Sequence, residues 1–550
     1  PWTDGLLEEL TSTLGWTPDD VRAWLPALWN DLGPTGARFR AVYEACVQQR
    51  LSRVFYAAQA AWCRAHGIAL TGHPARGNEM GVLREFDWPG QDAVWRWVLP
   101  WDGTGLEGAE SVTAKAASSM ALLRGGRPAL TEVFGAYGWG LTLDEVKWLL
   151  DWHLARGVDT YLLHAYFYSV RGQRAFESEP DLGLHNPWWP TIGVLHDYLA
   201  RMSRLLRRGR RVVRVGILAD PHDLPWRMAR RLYEAQLDFC YLDDEAVAAG
   251  GVDGGRLLVG ELELTAVIDE RPEDRPRNEG AEAVLGDLAR AGGVVVPASA
   301  PDLVEVVRAA ASPLVEVDPP VSDLRVVTTV EDDTTYVLLF NEGETTIDTR
   351  VRIRLAGLAA EWWDALSGSV RSVGGIEDGV ALRLRRRESR VLVLRPGRTA
   401  RDTVTATARW EPSELAPSDV VAVDGSSWVV ETTDGRPLPV DGLGDWTRHG
   451  ELERFAGTLV YRTTLRVPYD SPRATLDLGA VGDHAAVFVD RSAVGLALWA
   501  PYRVEIERPL PAGQDLELRL EVTNSAANYY EGAMRPSGLL GPVHLELHRS

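Results

Sequence analysis

Apolar residues recur at helical spacing from Phe39 to Ala65 (Phe39, Val42, Cys46, Leu51, Val54, Phe55, Ala58, Trp62), and the run stops at Gly67, a helix stop signal. A short apolar strand, IALTGH, follows. The alternation then repeats. SVTAKAASSMALLRGG reads as strand then helix, RPAL as a strand leading into the loop TEVFGAYGW, and Leu143–Ala155 as an amphipathic helix beginning after Thr142. Residues 160–164 read as a further strand, and after AYFYSVRG and NPWWP a helix is predicted over 191–206. Repeated βα units imply a parallel sheet. Four such units make half of an eightfold barrel, with polar residues gathered just after the strands, where barrel enzymes place their chemistry. Half a barrel cannot close, so residues 1–206 are expected to be its second half, completed by an upstream N-terminal segment or by a second chain.

Beyond the basic hinge RRGRR (207–211) the pattern changes. Short apolar strands (VVRVGIL, FCYLDDE, RLLVGE, LTAVIDE, GGVVVPA) alternate with helices over 207–320, which predicts a smaller Rossmann-like α/β accessory domain. No GxGxxG joins a strand to a helix there, so no nucleotide cofactor is expected. Residues 321–398 alternate with the period of a half-buried strand (TTYVLLFNEG, TRVRIRL, SRVLVLRP), as in a small β-sandwich. Residues 399–550 carry a second β series separated by Gly, Pro and Asp turns, as in a jelly roll. The fold class expected is therefore multidomain, α/β followed by all-β.

At 550 residues the chain has room for several cores. Its net charge of −20 argues against a broad footprint on nucleic acid or an anionic membrane, and no apolar run is long enough to span a bilayer, so the chain reads as soluble. Its compartment stays open. Three cysteines, Cys46, Cys63 and Cys240, with no CxxC pair, read as buried structural thiols. The 21 tryptophans exceed the 10 phenylalanines, and a flat indole with one N–H donor packs well on the apolar face of a sugar ring. HExxH, GxSxG and GxxxxGK[ST] are all absent, which removes support for zinc proteolysis, serine acyl transfer and P-loop phosphoryl transfer.

Glu132 follows RPAL and precedes the aromatic run VFGAYGW, which puts a carboxylate at a barrel rim. Glycoside hydrolysis uses a pair of carboxyl groups, one protonating the leaving oxygen and the other activating water or attacking the anomeric carbon. A loop-rich stretch, GHPARGNEMGVLREFDWPGQD, supplies His73, Glu79, Glu85, Asp87 and Asp92. Oxygen donors at such irregular spacing suit Ca²⁺ better than Zn²⁺, with Glu79 as a ligand, as a wall of the site or as an ordinary surface carboxylate. His73 and His164 each follow a strand and could hydrogen-bond sugar hydroxyls or serve only structure. Trp139, Tyr166 and Tyr168 are stacking candidates, with core packing as the alternative.

TEVFGAYGW, the stretch DWHLARGVDTYLLHAYFYS, PWWP, and the C-terminal TLDLGAVGDHAAVFVD, WAPYRVEI, VTNSAAN and SGLLGPVHLEL together resemble the α-L-rhamnosidases of glycoside hydrolase family 106. The likeness runs in order through nearly the whole chain, from half barrel to a family 2-type sugar-binding-like jelly roll. It implies a calcium-assisted inverting enzyme acting on a rhamnosylated small molecule or oligosaccharide, with Glu132 as general base. His73, Glu79, Asp92, Trp139, His164 and Tyr168 are then expected around the sugar. In that family the general acid precedes a PWTD-like segment, and this chain opens at PWTD, so the acid is expected upstream of Pro1. A retaining β-glycosidase of the family 2 or 42 type, with the same Glu as nucleophile, and a non-catalytic carbohydrate-binding protein are the competing readings.

Overall fold

The computed structural model describes residues 2–272, 277–354, 357–373, 376, 379–396, 419–424, 427–440 and 442–548. The chain opens with helices α1 (Leu6–Leu14), α2 (Pro18–Trp24), α3 (Gly33–Leu51) and α4 (Ala57–Ala65). A π-helical turn, Ser52–Tyr56, joins the last two, so the predicted run from Phe39 to Ala65 is helical throughout. Leu6, Leu10, Val21, Ala27 and Phe39 close a small core of their own.

A four-stranded sheet follows in sequential order, β1 (Thr71–Gly72), β2 (Trp88–Ala93), β3 (Leu130–Val133) and β4 (Thr160–Leu163), with every pair parallel. Helices α5 (Thr113–Leu123) and α6 (Leu143–Ala155) link β2 to β3 and β3 to β4, and α7 (Ile192–Arg208) leaves β4. Two details depart from the sequence reading. SVT is no strand: it closes a 3₁₀ turn and opens α5, while the strand lies earlier, at WPGQDA, inside what read as loop. Glu132 stands within β3 and not after it.

Side chains on a strand alternate between faces. Gln91, Thr131 and Val133 point toward the helices and are buried, whereas Asp92 and Glu132 stand side by side in register with Leu162 on the opposite face. There Leu162 is 57% exposed. Helix α6 starts at a capping box in which the Thr142 hydroxyl accepts from the Glu145 N–H and the Glu145 carboxylate accepts from the Thr142 N–H.

The hinge RRGRR is not a free linker. Its last two residues form β5 (Arg210–Arg211), an edge strand that pairs antiparallel with Thr329 and Val330 of the following sandwich. The α/β domain is a parallel sheet of β6 (Val215–Leu218), β7 (Phe239–Leu242), Ala266–Asp269 and Val294–Pro297, in which Ala266–Asp269 and β7 flank β6. RLLVGE, expected in that sheet, instead joins a separate three-stranded antiparallel sheet.

A six-stranded and a three-stranded antiparallel sheet then face one another over a core including Leu324, Val337, Leu339, Val351 and Leu392. The described residues between 419 and 548 form a second pair of antiparallel sheets, of four and five strands, around Trp428, Leu476, Val487 and Leu520. The expected boundary at 398/399 lies outside the described residues. One core cluster crosses three of these units, since α6 and α7 pack on Val327, Phe340 and Val393 of the first sandwich and on Leu498 and Trp499 of the second. The three cysteines are free, Cys46 and Cys240 buried and Cys63 only half-buried, a correction to the reading of all three as buried. No helix among the described residues is long and apolar enough to cross a membrane.

Candidate active site

The carboxyl ends of β1 to β4 bring four ionisable side chains together, one per strand: His73, Asp92, Glu132 and His164. His73 Nε2 lies 3.8 Å from Asp92 Oδ2 and 3.8 Å from Glu132 Oε2, and His164 Nε2 lies 4.0 Å from Glu132 Oε1. An imidazole therefore stands on either side of Glu132. All four were among the residues expected from sequence, and all remain partly open to solvent.

The seat of Glu132 is rigid and polar on its buried side. Gln91 Nε2 donates to the Thr131 hydroxyl (2.5 Å), and that oxygen lies 3.2 Å from His153 Nε2. Burial drives His153 down to about 3, so the ring is neutral, with Nδ1 donating to the Leu149 carbonyl (2.6 Å) and Nε2 accepting from Thr131. The loop beyond β3 holds Phe134 and Ala136 at φ of 83° and 54°, a left-handed conformation costly for side chains of this type and concentrated at functional sites. Gly135, between them, admits the His164 ring: a Cβ there would stand 3.3 Å from it.

Electrostatically the two carboxylates differ. Burial pushes Asp92 up to about 6; His73 and His164 oppose that rise and Glu132 adds to it. Its Oδ1 is buried without a hydrogen-bond partner. Glu110, which sequence reasoning missed, is raised as well, by burial and then by Asp92, and it accepts from the Gly77 backbone. A folded Asp92 keeps its proton to about pH 6, whereas an unfolded carboxyl releases it near 3.8, so the folded state loses stability as pH rises through that window. Asp92→Asn is accordingly expected to raise the melting temperature at pH 8 and not at pH 3, followed by calorimetry; an equal effect at both pH values would contradict a carboxylate destabilised by burial.

Three expected residues stand elsewhere. Glu79 is buried and accepts from Nδ1 of His222 (2.7 Å), on the loop after β6, so it seals the seam with the α/β domain. Trp139 is 0% exposed, stacked on Tyr530 with ring centroids 4.3 Å apart, and its indole N–H donates to the Ala175 carbonyl. It offers no free face to a sugar, which corrects the stacking role. Tyr168 is 93% exposed and takes no part in the cluster, whereas Tyr166 reaches His196 Nε2 at 2.8 Å. The indoles at the rim are instead Trp95 and Trp97, both exposed, in the WRW directly after β2. The Trp95 N–H donates to the Gly135 carbonyl and ties this loop to the one after Glu132. Their signal in the sequence was an aromatic pair two and four residues past a strand.

The C-terminal sandwich braces the loop following Glu132. Glu531 accepts from the Trp139 N–H (2.6 Å), and Arg535 donates to the Gly140 carbonyl. Glu79, the carboxylate expected to bind calcium, holds His222 through Oε1, and among the described residues no group of three His, Cys, Asp or Glu side chains is arranged to hold a metal.

No family model matches the chain, and no curated protein matches it. Among solved structures, a rhamnosidase from Novosphingobium sp. PP1Y superposes on 99% of this chain at a TM-score of 0.70 and 21% identity. The chain spans 59% of the length of that rhamnosidase. A beta-galactosidase from Bacillus circulans sp. alkalophilus matches 71% of this chain and 76% of its own, at a TM-score of 0.44 and 12% identity, too distant to carry weight. What the chain shares with the rhamnosidase is the fold, mixed α/β with many β-sheets.

Proposed function

We propose that this chain is the greater part of a glycoside hydrolase of family 106 that removes terminal α-L-rhamnosyl groups with inversion of configuration. The observation that carries the reading is Glu132, held at the carboxyl end of a parallel strand between His73 and His164. The fold shared with the Novosphingobium rhamnosidase supports it. Glu132 takes a proton from a water whose oxygen attacks the anomeric carbon, while the bond to the leaving oxygen breaks and that oxygen is protonated by a second carboxyl group. His73 and His164 are suited to hold sugar hydroxyls, and Trp95 and Trp97 to cover the ring.

The acid is proposed to come from a further segment that completes the barrel, either upstream of residue 1 or on another chain. Two features support this. All-parallel sheets are ordinarily covered on both faces, yet Leu162 is left open beside Glu132. Among the described residues, β1 and β4 each pair on one side only.

A second reading rests on the approach of Asp92 and Glu132 to the same His73 nitrogen, since two neighbouring carboxyl groups also suit a retaining glycosidase. Hydrolysis of an aryl α-L-rhamnoside by the complete enzyme, with the anomeric product followed by NMR before mutarotation, decides between them. β-L-rhamnose as first product supports inversion, and α-L-rhamnose supports the retaining pair. Sugar binding without turnover, even with the whole barrel present, would leave a carbohydrate-binding protein.

A further inference from the structure

The amino-terminal edge of the parallel sheet, opposite the candidate active site, holds a cavity of about 270 Å³ that the glycosidase reading does not use. Five arginines line it: Arg127, after α5, and Arg207, Arg208, Arg210 and Arg211 from the end of α7 and β5. Two carboxylates, Asp159 and Glu261, share the lining. In a chain of net charge −20 this is a local reversal of sign.

Helices α5, α6 and α7 all end near this cavity, and arginines commonly offset the partial negative charge of helix carboxyl termini. That role accounts for little of the cluster. Only Arg211 reaches a terminal carbonyl, that of Ala155, at 3.4 Å. Arg211 also holds Asp238 with Nε and Nη2, at 2.7 and 2.9 Å, yet its Nη1 is buried with no acceptor although the residue is only 8% exposed. That nitrogen occupies the space a side chain at Gly157 would need, 1.3 Å from an added Cβ, and Gly157 is itself part of the cavity wall. A buried guanidinium donor without an acceptor is costly unless something fills the role. The side chains of Arg127, Arg207 and Arg208 are exposed and make no hydrogen bond or ion pair with any described residue, although the charge of Arg207 is felt by Asp159 across the cavity. Arg210 is held loosely, 3.4 Å from Glu263.

We propose that this cavity is a binding site for a tetrahedral oxyanion, a phosphate or sulfate group, free or carried on a larger molecule. Planar guanidiniums offer paired N–H donors that match such an anion, and several converging on one volume discriminate polyvalent from monovalent anions. Glycines at 125, 126 and 157, all at positive φ, keep side chains out of the cavity walls. The site is independent of the reaction proposed for Glu132.

Isothermal calorimetry on the full chain at low ionic strength, titrated with inorganic phosphate, sulfate and, as control, acetate, tests the assignment. Saturable binding of phosphate or sulfate, with acetate much weaker, is expected; which of the two binds tighter separates a phosphoryl from a sulfuryl source. The Arg207→Ala/Arg208→Ala variant alters only exposed side chains and is expected to weaken binding at least tenfold. It should also abolish the rise in melting temperature that the anion gives the wild type. Absence of saturable heat with both oxyanions, or undiminished binding in the variant, would overturn the proposal.

Discussion

Glu132→Gln is expected to lower kcat on an aryl α-L-rhamnoside by about 10²–10⁴-fold, the range general-base catalysis supplies, with KM little changed. The amide keeps the size of the side chain and its place between His73 and His164, so what it removes is the ability to accept a proton. Azide or formate entering from the face that the carboxylate vacates is expected to restore turnover with inverted product whether Glu132 serves as base or as nucleophile, so the anomer first released by the unmodified enzyme is what separates the two mechanisms. Unchanged kcat in the variant would remove Glu132 from the chemistry. The bracing of its loop by Glu531 and Arg535 gives a further check, because damage to those contacts should alter Glu132 presentation without touching the sugar pocket.

Three of the four residues that converge at the strand ends were legible because a parallel sheet places its chemistry by a local rule. A polar side chain at the carboxyl end of a strand faces the catalytic rim, which picks out His73, Glu132 and His164, whereas Asp92 was reached only as an oxygen donor in what read as loop. Helix α6 was legible from its apolar spacing and its start after Thr142, which the structure shows to cap the helix together with Glu145. What failed was everything set by distant partners. Trp139 reads as a sugar-stacking indole until Tyr530 covers it, and Glu79 reads as a metal ligand until His222 takes its carboxylate. Asp144, Glu145, Lys147 and Asp151 look like the solvent face of an amphipathic helix, yet all are buried: the first sandwich brings Arg386 and Arg387 to Asp144 and the Arg387 carbonyl to Lys147, the second brings the Ala500 N–H to Asp144, and Arg96 and Tyr198 meet Glu145 and Asp151. Amphipathicity reports how polar a face is and not whether another domain will cover it. The strand at WPGQDA was missed for a local reason, since Pro and Gly inside a run argue against a strand and here occupy its second and third positions.

Glu342→Gln is expected to cost about 3–5 kcal/mol at neutral pH, the penalty for stranding buried charge. Glu342 follows the strand Thr334–Asn341 and accepts from both Arg156 amino groups, at 3.2 and 3.0 Å, and from Arg325 Nε at 2.7 Å. The two guanidiniums are 0% and 2% exposed, so neither can turn to water when the carboxylate is lost. Burial alone would raise the Glu342 pKa, but Arg156 and Arg325 outweigh it and hold the group below its ordinary value. A depressed folded pKa means that its stabilisation is complete above the unfolded value of about 4.5 and is lost as pH falls through the folded one. The deficit of the variant should therefore be full at pH 7 and shrink below pH 4, which thermal melts across that range would follow; a deficit independent of pH would mean that packing and not charge is at stake. Because Arg156 caps α6 while Glu342 belongs to the first sandwich, the pair joins the sheet that carries Glu132 to the domain behind it. Loss of that tie is expected to separate the melting of the two units, turning one cooperative transition into two.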